Sequence, residues 1–513
     1  MTMTSAKRIG FALSAGLLLA ALPMAASSAW AANNGTDQPI FREAPPLADL
    51  YAEKPLTGSQ VVVLRQIAQK TWSFFLADTA PTTDLPYDNL GFAGAPPVGN
   101  YTSPTDIAMS LWAITAATEL HLISPEEGYR RAQGELAAIQ KLPKWQGFLL
   151  SWYSPTTGQP ITGPGGSPVT SLNGQFISTV DNGWYASALV IVREAFPRLA
   201  PQATALLNAM NFGVFYHGGD ETTDITAGQL SGGYVVGQGP TSWQYGNLNT
   251  DPRIAVYMGI GTGTVPGDVW WRTWRTLPAD FTWQTQTPQG YWQTYSDPYS
   301  HQDFSVYEGH YVYQGISYVP SWGGSAFEAL MAPLVVPEGV WGTRNFGLNN
   351  INYAEAGIFY AKSLKDPVWG FSPASVPGTS GAYEAYGAYP LGSGGPANAY
   401  ASTAVAPYAS FIALPWIPQQ AFRNIQRLMS RYAVLGPDGF YDAVNPTTGQ
   451  VAPRYLVLDQ GMILAAIDDT LEQGGLQRYW AVDPVGERIK PYLQEERFSI
   501  QPVAGLSLSQ GTP

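Results

Sequence analysis

The sequence predicts an all-α fold in which about twelve helices pair into a double-layered ring. Three observations carry this prediction. Helical apolar spacing recurs along the chain, long Gly-, Pro-, Ser- and Asn-rich stretches separate the helices, and no run of alternating strands intervenes. Val61 to Leu76 sets Leu64, Ile67, Trp72 and Phe75 at three and four spacing, the pattern of an amphipathic helix. Thr105-Asp106 opens a second helix over 107–120. Ser124-Pro125-Glu126-Glu127 supplies an N-cap, a proline at the first helical position and acids in the first turn, so a third helix runs to about Leu142. Further helices are expected at about 181–196, 199–211, 251–260, 325–333, 351–363, 402–413, 418–433 and 459–473.

The loops at 146–178, 213–250, 261–323 and 365–401 are long enough to build a cleft over one end of such a ring, which places function in them and at the helix starts beneath. Tyr216, Tyr234, Val235 and Val236 among paired glycines predict a small β-hairpin within 213–245. Residues 1–31 read as a secretory signal: Lys7 and Arg8, an apolar stretch from Ile9 to Leu22, and the small-x-small site Ala29-Trp30-Ala31. Residues 32–55 read as an extended lead, 56–490 as one domain and 491–513 as a weakly structured tail. The protein is therefore expected to be exported, to the periplasm or beyond, and not to insert in a membrane once the signal is removed.

Composition narrows the chemistry. The 513 residues include no Cys, which excludes disulfides, a thiol nucleophile and a zinc-thiolate site. Loss of Lys7 and Arg8 with the signal leaves 24 basic against 38 acidic residues, a balance that disfavours nucleic acid and anionic lipid as partners. Only 12% of residues are charged, whereas Trp numbers 17 and Tyr 29. That combination suits a neutral sugar polymer, whose C–H faces stack on aromatic rings, as well as it suits an aromatic core. No cofactor is expected. There is no phosphate loop or dinucleotide fingerprint, Ser325 has no evident His partner, and neither His301, Asp303 and His310 nor the Gly218-Gly219-Asp220-Glu221 turn with Asp224 matches a metal-binding pattern.

Several segments belong together. They are Tyr101-Thr102-Ser103-Pro104-Thr105-Asp106-Ile107, Gly147-Phe148-Leu149-Leu150-Ser151-Trp152-Tyr153, Ile177-Ser178-Thr179-Val180-Asp181-Asn182-Gly183, Asn249-Thr250-Asp251-Pro252-Arg253 and Ser321-Trp322-Gly323-Gly324-Ser325-Ala326-Phe327-Glu328. Trp369-Gly370-Phe371, Ala406-Pro407-Tyr408, Gly439-Phe440-Tyr441-Asp442 and Leu458-Asp459-Gln460-Gly461-Met462 follow in order. In order and spacing these segments resemble the bacterial glucoamylase-like family, which includes endo-β-1,2-glucanases and the cyclising domain of cyclic β-1,2-glucan synthases. The resemblance spans residues 60–480 and implies an (α/α)6 barrel and glycosidic-bond chemistry. The chain departs from the family pattern at two places. Asp251 stands where related sequences more often carry Glu, which withdraws the carboxyl by ~1.5 Å. Trp369-Gly370-Phe371-Ser372-Pro373 lacks the Glu that cyclising members carry after Trp-Gly-Ile-Ser, which leaves hydrolysis as the simpler expectation.

Glycoside hydrolysis needs one carboxylic acid to protonate the leaving oxygen and a second carboxylate to attack C1 or activate water. The expected catalytic set is Glu328, Asp251 and Asp181, with Glu384 next; Asp181 and Asp106 could equally cap the helices they open. Glu328, among Phe327, Leu330 and Met331, is either a first-turn dipole partner or an acid whose pKa is raised by apolar packing. Glu384 lies between Tyr383 and Tyr386 in a Gly-rich loop. Asp106, Trp152, Tyr153, Trp184, Trp243, Arg253, Trp322, Tyr386, Asp442, Asp459 and Gln460 are the expected substrate contacts. The expected function is an exported glycoside hydrolase, endo-acting on β-1,2-glucan or a related exopolysaccharide. The alternatives are a non-catalytic polysaccharide-binding or export-assisting protein on the same scaffold, and a hydrolase of a different exopolysaccharide.

Overall fold

The computed structural model describes residues 53–91, 99–379 and 382–503. The expected signal at 1–31, most of the lead at 32–55 and residues 504–513 lie outside the described residues. The helices are α1 (Gly58–Asp78), α2 (Pro104–Glu119), α3 (Pro125–Lys141), α4 (Thr179–Ala195), α5 (Ala200–Asn208), α6 (Arg253–Gly261), α7 (Asp268–Arg272), α8 (Ala326–Leu330), α9 (Glu338–Trp341), α10 (Phe346–Ser363), α11 (Tyr408–Ile412), α12 (Pro418–Arg431), α13 (Val457–Leu471), α14 (Gln477–Val482) and α15 (Pro484–Glu495).

Burial sorts them into two layers. Helices α2, α4 and α13 are apolar or small on nearly every face and are buried almost throughout, as a helix enclosed on all sides must be. By contrast, α12 buries Ala421, Phe422, Ile425 and Leu428 at three and four spacing and turns Arg423, Arg427 and Arg431 to solvent. In the inner layer α2 packs on α4 and α13, α4 on α6, α13 on α11, and α11 on α8. Outside them, α1 and α3 cover α2, α5 covers α4, α15 covers α6, α10 covers α8 and α12 covers α11. The result is the helical toroid that the resemblance implies, an (α/α)-type arrangement with small antiparallel strand pairs in its loops.

Arg253 ties α6 to α8. Its guanidinium donates to the carbonyls of Glu328 (3.0 Å) and Ala329 (2.6 Å) and pairs with Glu338 at 2.8 Å, while Tyr257 donates to the same Glu338 carboxylate. Both charged side chains are fully enclosed. This corrects the expectation that Arg253 binds substrate: it stands beneath the site and braces two inner helices.

The loops hold more structure than periodicity shows. The expected hairpin within 213–245 is present as short strands, with Tyr216–His217 paired to Gln229–Ser231 and Gly233–Val235 paired to Gly239–Pro240. The stretch 261–323, expected to be loop, contains the longest strands, Gln289–Ser296 and Asp303–Tyr313, joined antiparallel and extended by Ile316–Tyr318. Strand 289–296 has only Tyr295 buried, so the alternation that would reveal it is missing. The tail reading of 491–513 is corrected for the described part. Helix α15 continues to Glu495, Glu496 accepts from the Trp270 indole at 3.0 Å, and Phe498 packs edge-on to Phe346. Apolar Phe498 and Ile500 anchor this segment against the body.

Replacing Glu338 with Ala leaves the Arg253 guanidinium buried without its counter-charge. Unfolding by denaturant should show a loss of about 3–5 kcal/mol, the cost of breaking a buried pair from one side.

Candidate active site

The inner helices carry acids in their first turns. Ser103 caps α2 three residues before Asp106, Ser178 caps α4 three before Asp181, and Ser325 caps α8 three before Glu328; Asp459 lies in the first turn of α13. Asp251 sits on the turn that leads into α6, which is pinned by Asn249 donating to the Val319 carbonyl (2.8 Å) and Thr250 to the Asn247 carbonyl (3.0 Å). Each acid at a helix start gains from the positive end of the helix dipole and from free backbone N–H groups. These positions feel one another's charge. Asp251 responds to Glu328 and Asp181, Asp106 to Asp181 and Asp88, and Asp459 to Asp442 and Asp88. The helix starts therefore converge on one acidic mouth.

The acids are held differently. Asp106 closes its capping box, accepting from the Ser103 amide at 2.8 Å, and is buried. The Asp181 carboxylate accepts from the Thr105 hydroxyl of α2 at 2.7 Å, is also held down by the Ser178 side chain, and stays half-buried. Glu328 accepts from the Ser321 hydroxyl (2.7 Å), the Gly323 amide (3.0 Å), and the Ser325 amide (3.1 Å) and hydroxyl (3.0 Å), and is 5% exposed. Burial pushes Glu328 up, and those donors pull it back. Asp251 has no comparable set of donors. Burial and the charge of Glu328 push it up to about 8, with a smaller contribution from Asp181. A carboxyl kept protonated at neutral pH beside other acids is what proton donation to a leaving group requires.

Across the mouth, Asp88 accepts from Tyr101 (2.7 Å), Asn89 (2.6 Å) and Arg454 (3.2 Å). Arg454 also reaches the Ser375 hydroxyl at 3.3 Å, and the Ser375 amide donates to Asp442 at 2.8 Å. Asp442 and Asp459 are both buried and side by side, and burial followed by the Asp442 charge raises Asp459 well above the carboxylate range. Among the described residues no group of three or more His, Asp or Glu is disposed to hold a metal ion.

A family model described as "Putative glucoamylase" matches residues 253–482, and a second, described as a protein of unknown function, matches 66–224. Residues 253–482 of the chain thus resemble the glucoamylase-like family. Among curated proteins it is 25% identical to the cyclic β-(1,2)-glucan synthase NdvB of Rhizobium meliloti (strain 1021), across 89% of this chain and 20% of the relative, so it spans about a fifth of that protein's length. Among solved structures, a β-1,2-glucanase from Parabacteroides distasonis matches at a TM-score of 0.64 and 16% identity, over 86% of this chain and 60% of that one. An endo-β-1,2-glucanase from Chitinophaga pinensis, solved with sophorotriose and glucose, matches at 0.62 and 15%, over 86% and 98%. These likenesses establish a shared fold.

On this glucoamylase-like scaffold the expected site residues divide. Asp106, Asp181, Asp251, Glu328, Asp442 and Asp459 are drawn together. Glu384 is not drawn in. It stands exposed on a short strand paired with Ala374–Ser375, and the neighbour it acts on is Tyr386. The preceding residue on the same strand, Tyr383, points the other way, into the field of Asp442 and Asp459. Gln460 is buried and donates to the Phe440 carbonyl at 2.8 Å, so it packs α13 and does not face substrate. Trp184 is 1% exposed and edge-on to Trp112, Tyr153 is fixed between Leu150 and the Pro143 carbonyl, and Tyr386 is buried; these three are core. Trp152, Trp243 and Trp322 retain open surface. Trp152 stands edge-on to Tyr101, and Trp322 edge-on to the exposed Trp283.

Four groups at the mouth were not among the expected site residues: Asp88, Tyr101, Tyr245 and Tyr400. Tyr245 faces Asp251 and Asp181, and Tyr400 faces Glu328 and Asp251. The Tyr400 ring lies on the backbone of Gly323, where any side chain would collide with it; the left-handed Gly324 beside it (φ 78°) makes the turn. A signal was available for the acids, since Ser-x-x-acid recurs at 103–106, 178–181 and 325–328.

Because Asp251 is raised from its ordinary 3.8 to about 8, the folded protein binds a proton there that the unfolded chain releases above pH ~4. The stability tied to this proton is complete below pH ~4 and is lost as pH climbs toward 8. Asp251→Asn, which needs no proton, should raise Tm at pH 7 by on the order of 1–3 °C and leave it near wild type at pH 4. Thermal unfolding at the two pH values checks this.

Proposed function

We propose that this chain is an exported glycoside hydrolase that cleaves β-1,2-glucan, or a closely related neutral β-glucan, within the polymer. The observation that carries the reading is Asp251, a carboxyl pushed up to about 8 at the centre of an acidic mouth on a glucoamylase-like scaffold. The β-1,2 linkage draws support from the relatives: a cyclic β-(1,2)-glucan synthase by sequence and β-1,2-glucanases by fold. Export draws support from the basic, apolar and small-residue pattern of residues 1–31.

In this reading Asp251 protonates the glycosidic oxygen as the C1–O bond breaks, and the half-buried Asp181 is the second carboxylate. Glu328, held by its hydroxyl and amide donors, is a positioning residue whose charge keeps the proton on Asp251. Trp152 and Trp322 offer stacking surfaces, and Tyr245 and Tyr400 lie in the electrostatic field of Asp251. An acidic rim of this kind repels polyanions, which favours a neutral glucan over a uronan.

The test is a time course on linear and cyclic β-1,2-glucan beside other glucans and exopolysaccharides, following reducing ends and product sizes. Short oligosaccharides should accumulate from β-1,2-glucan. Asp251→Asn and Asp181→Asn should each lower kcat by about 10²–10⁴-fold, while Glu384→Gln keeps it within about threefold. Wild-type kcat should fall above about pH 8, as Asp251 loses its proton, and Glu328→Gln should move that fall to lower pH. Polymer binding without release of any reducing end would replace this reading with that of a polysaccharide-binding protein.

A further inference from the structure

The long hairpin packed on α7 presents an aromatic and hydroxylic strip that the core does not use. In the pairing of Gln289–Ser296 with Asp303–Tyr313, the opposed pairs Trp292 with Tyr307, Thr294 with Ser305 and Ser296 with Asp303 share one sheet face. The opposite face does the anchoring. Phe304 and Val306 are buried there, and Tyr295 is stacked on Trp271 of α7 at 4.9 Å and 13°. On the outer face Trp292 is 68% exposed, the most exposed large apolar side chain among the described residues, and its ring leans on Tyr307 at 5.5 Å. Trp292 and Tyr307 thus present a paired aromatic surface on this face, beside the hydroxyls of Thr294, Ser305 and Ser296.

We propose that this strip is a second binding site for a neutral polysaccharide chain, on the toroid wall and separate from the acidic mouth. The ligand's chemistry rests on the hydrolase reading; the site itself rests on the hairpin. Rows of a strand face repeat at about 6.8 Å, so the three pairs form a ledge about 14 Å long. Its first row is aromatic and suits the C–H face of a pyranose; the next two offer hydroxyls and one carboxylate to sugar hydroxyls. A second copy of the chain would call for a continuous apolar face, whereas two of the three rows here are polar. The strip's one charge is negative on an acidic protein, which opposes an anionic glycan and leaves a neutral one unopposed. Such a ledge would hold a long polymer against the protein while the mouth works on another stretch of it.

The test uses Asp251→Asn as the parent, so that polymer stays intact, in native electrophoresis through gels containing β-1,2-glucan or other neutral β-glucans. Adding Trp292→Ala should weaken polymer binding about 3- to 10-fold, while Trp292→Phe retains most of it. Binding of an oligosaccharide too short to reach beyond the mouth, followed by calorimetry, should be unchanged by either substitution. Equal retardation of the parent and Trp292→Ala, or no retardation of the parent by any neutral glucan, overturns the proposal. So does light scattering that finds a wild-type dimer converted to monomer by Trp292→Ala. Wild-type turnover together with Trp292-independent binding would remove this site alone and leave the hydrolase reading standing.

Discussion

The structure depends on the crowding of carboxyl groups at one end of the helical toroid. Like charges in a half-buried space repel, and desolvation adds to the cost, so the assembly is tolerable only where something offsets it. Here the offset is local. Inner helices bring their first turns, with unpaired N–H groups and the positive end of the dipole, to the place where the acids sit. Where such donors are plentiful, as around Glu328, the carboxyl is satisfied in place. Where they are few, as at Asp251, the cheaper solution is to keep a proton. The same arrangement that lets the protein bury these acids thus sets one carboxyl that keeps its proton apart from its neighbours.

That mouth needs a stable frame, and the frame has its own buried charge. Arg253 and Glu338 form an enclosed pair two residues beyond Asp251, linking α6 to the backbone of α8. Because the guanidinium also holds the carbonyl of Glu328, the strut and the acidic mouth share residues. A motif such as Asn249-Thr250-Asp251-Pro252-Arg253 therefore combines an acid that faces the cleft with a base that faces the frame.

Much of this architecture was legible in the sequence. The amphipathic α12 and the enclosed α2, α4 and α13 differ in composition in the way that outer and inner helices must. The acids Asp181, Asp251 and Glu328 stood out because they lie in the segments that carry the family resemblance, Asp181 and Glu328 also at the start of a helix. What remained hidden has physical causes. Whether an aromatic lines a cleft or fills a core depends on packing, so Trp184 and Trp152 look alike in the chain yet one is enclosed and the other open. Asp88 and Arg454 meet across 366 residues, a distance no local pattern reports. The hairpin at 289–313 was unreadable because its outer strand buries almost nothing.

Asp251 carries a proton at neutral pH because of burial and its acidic neighbours. The most direct measurement is a pH titration by NMR of protein labelled with carbon-13 at its aspartate carboxyls, comparing wild type with Asp251→Asn. The resonance missing from the variant should titrate near pH 8. If it titrates near pH 4 instead, as an ordinary aspartate does, the acidic mouth does not hold the proton and Asp251 is not the acid.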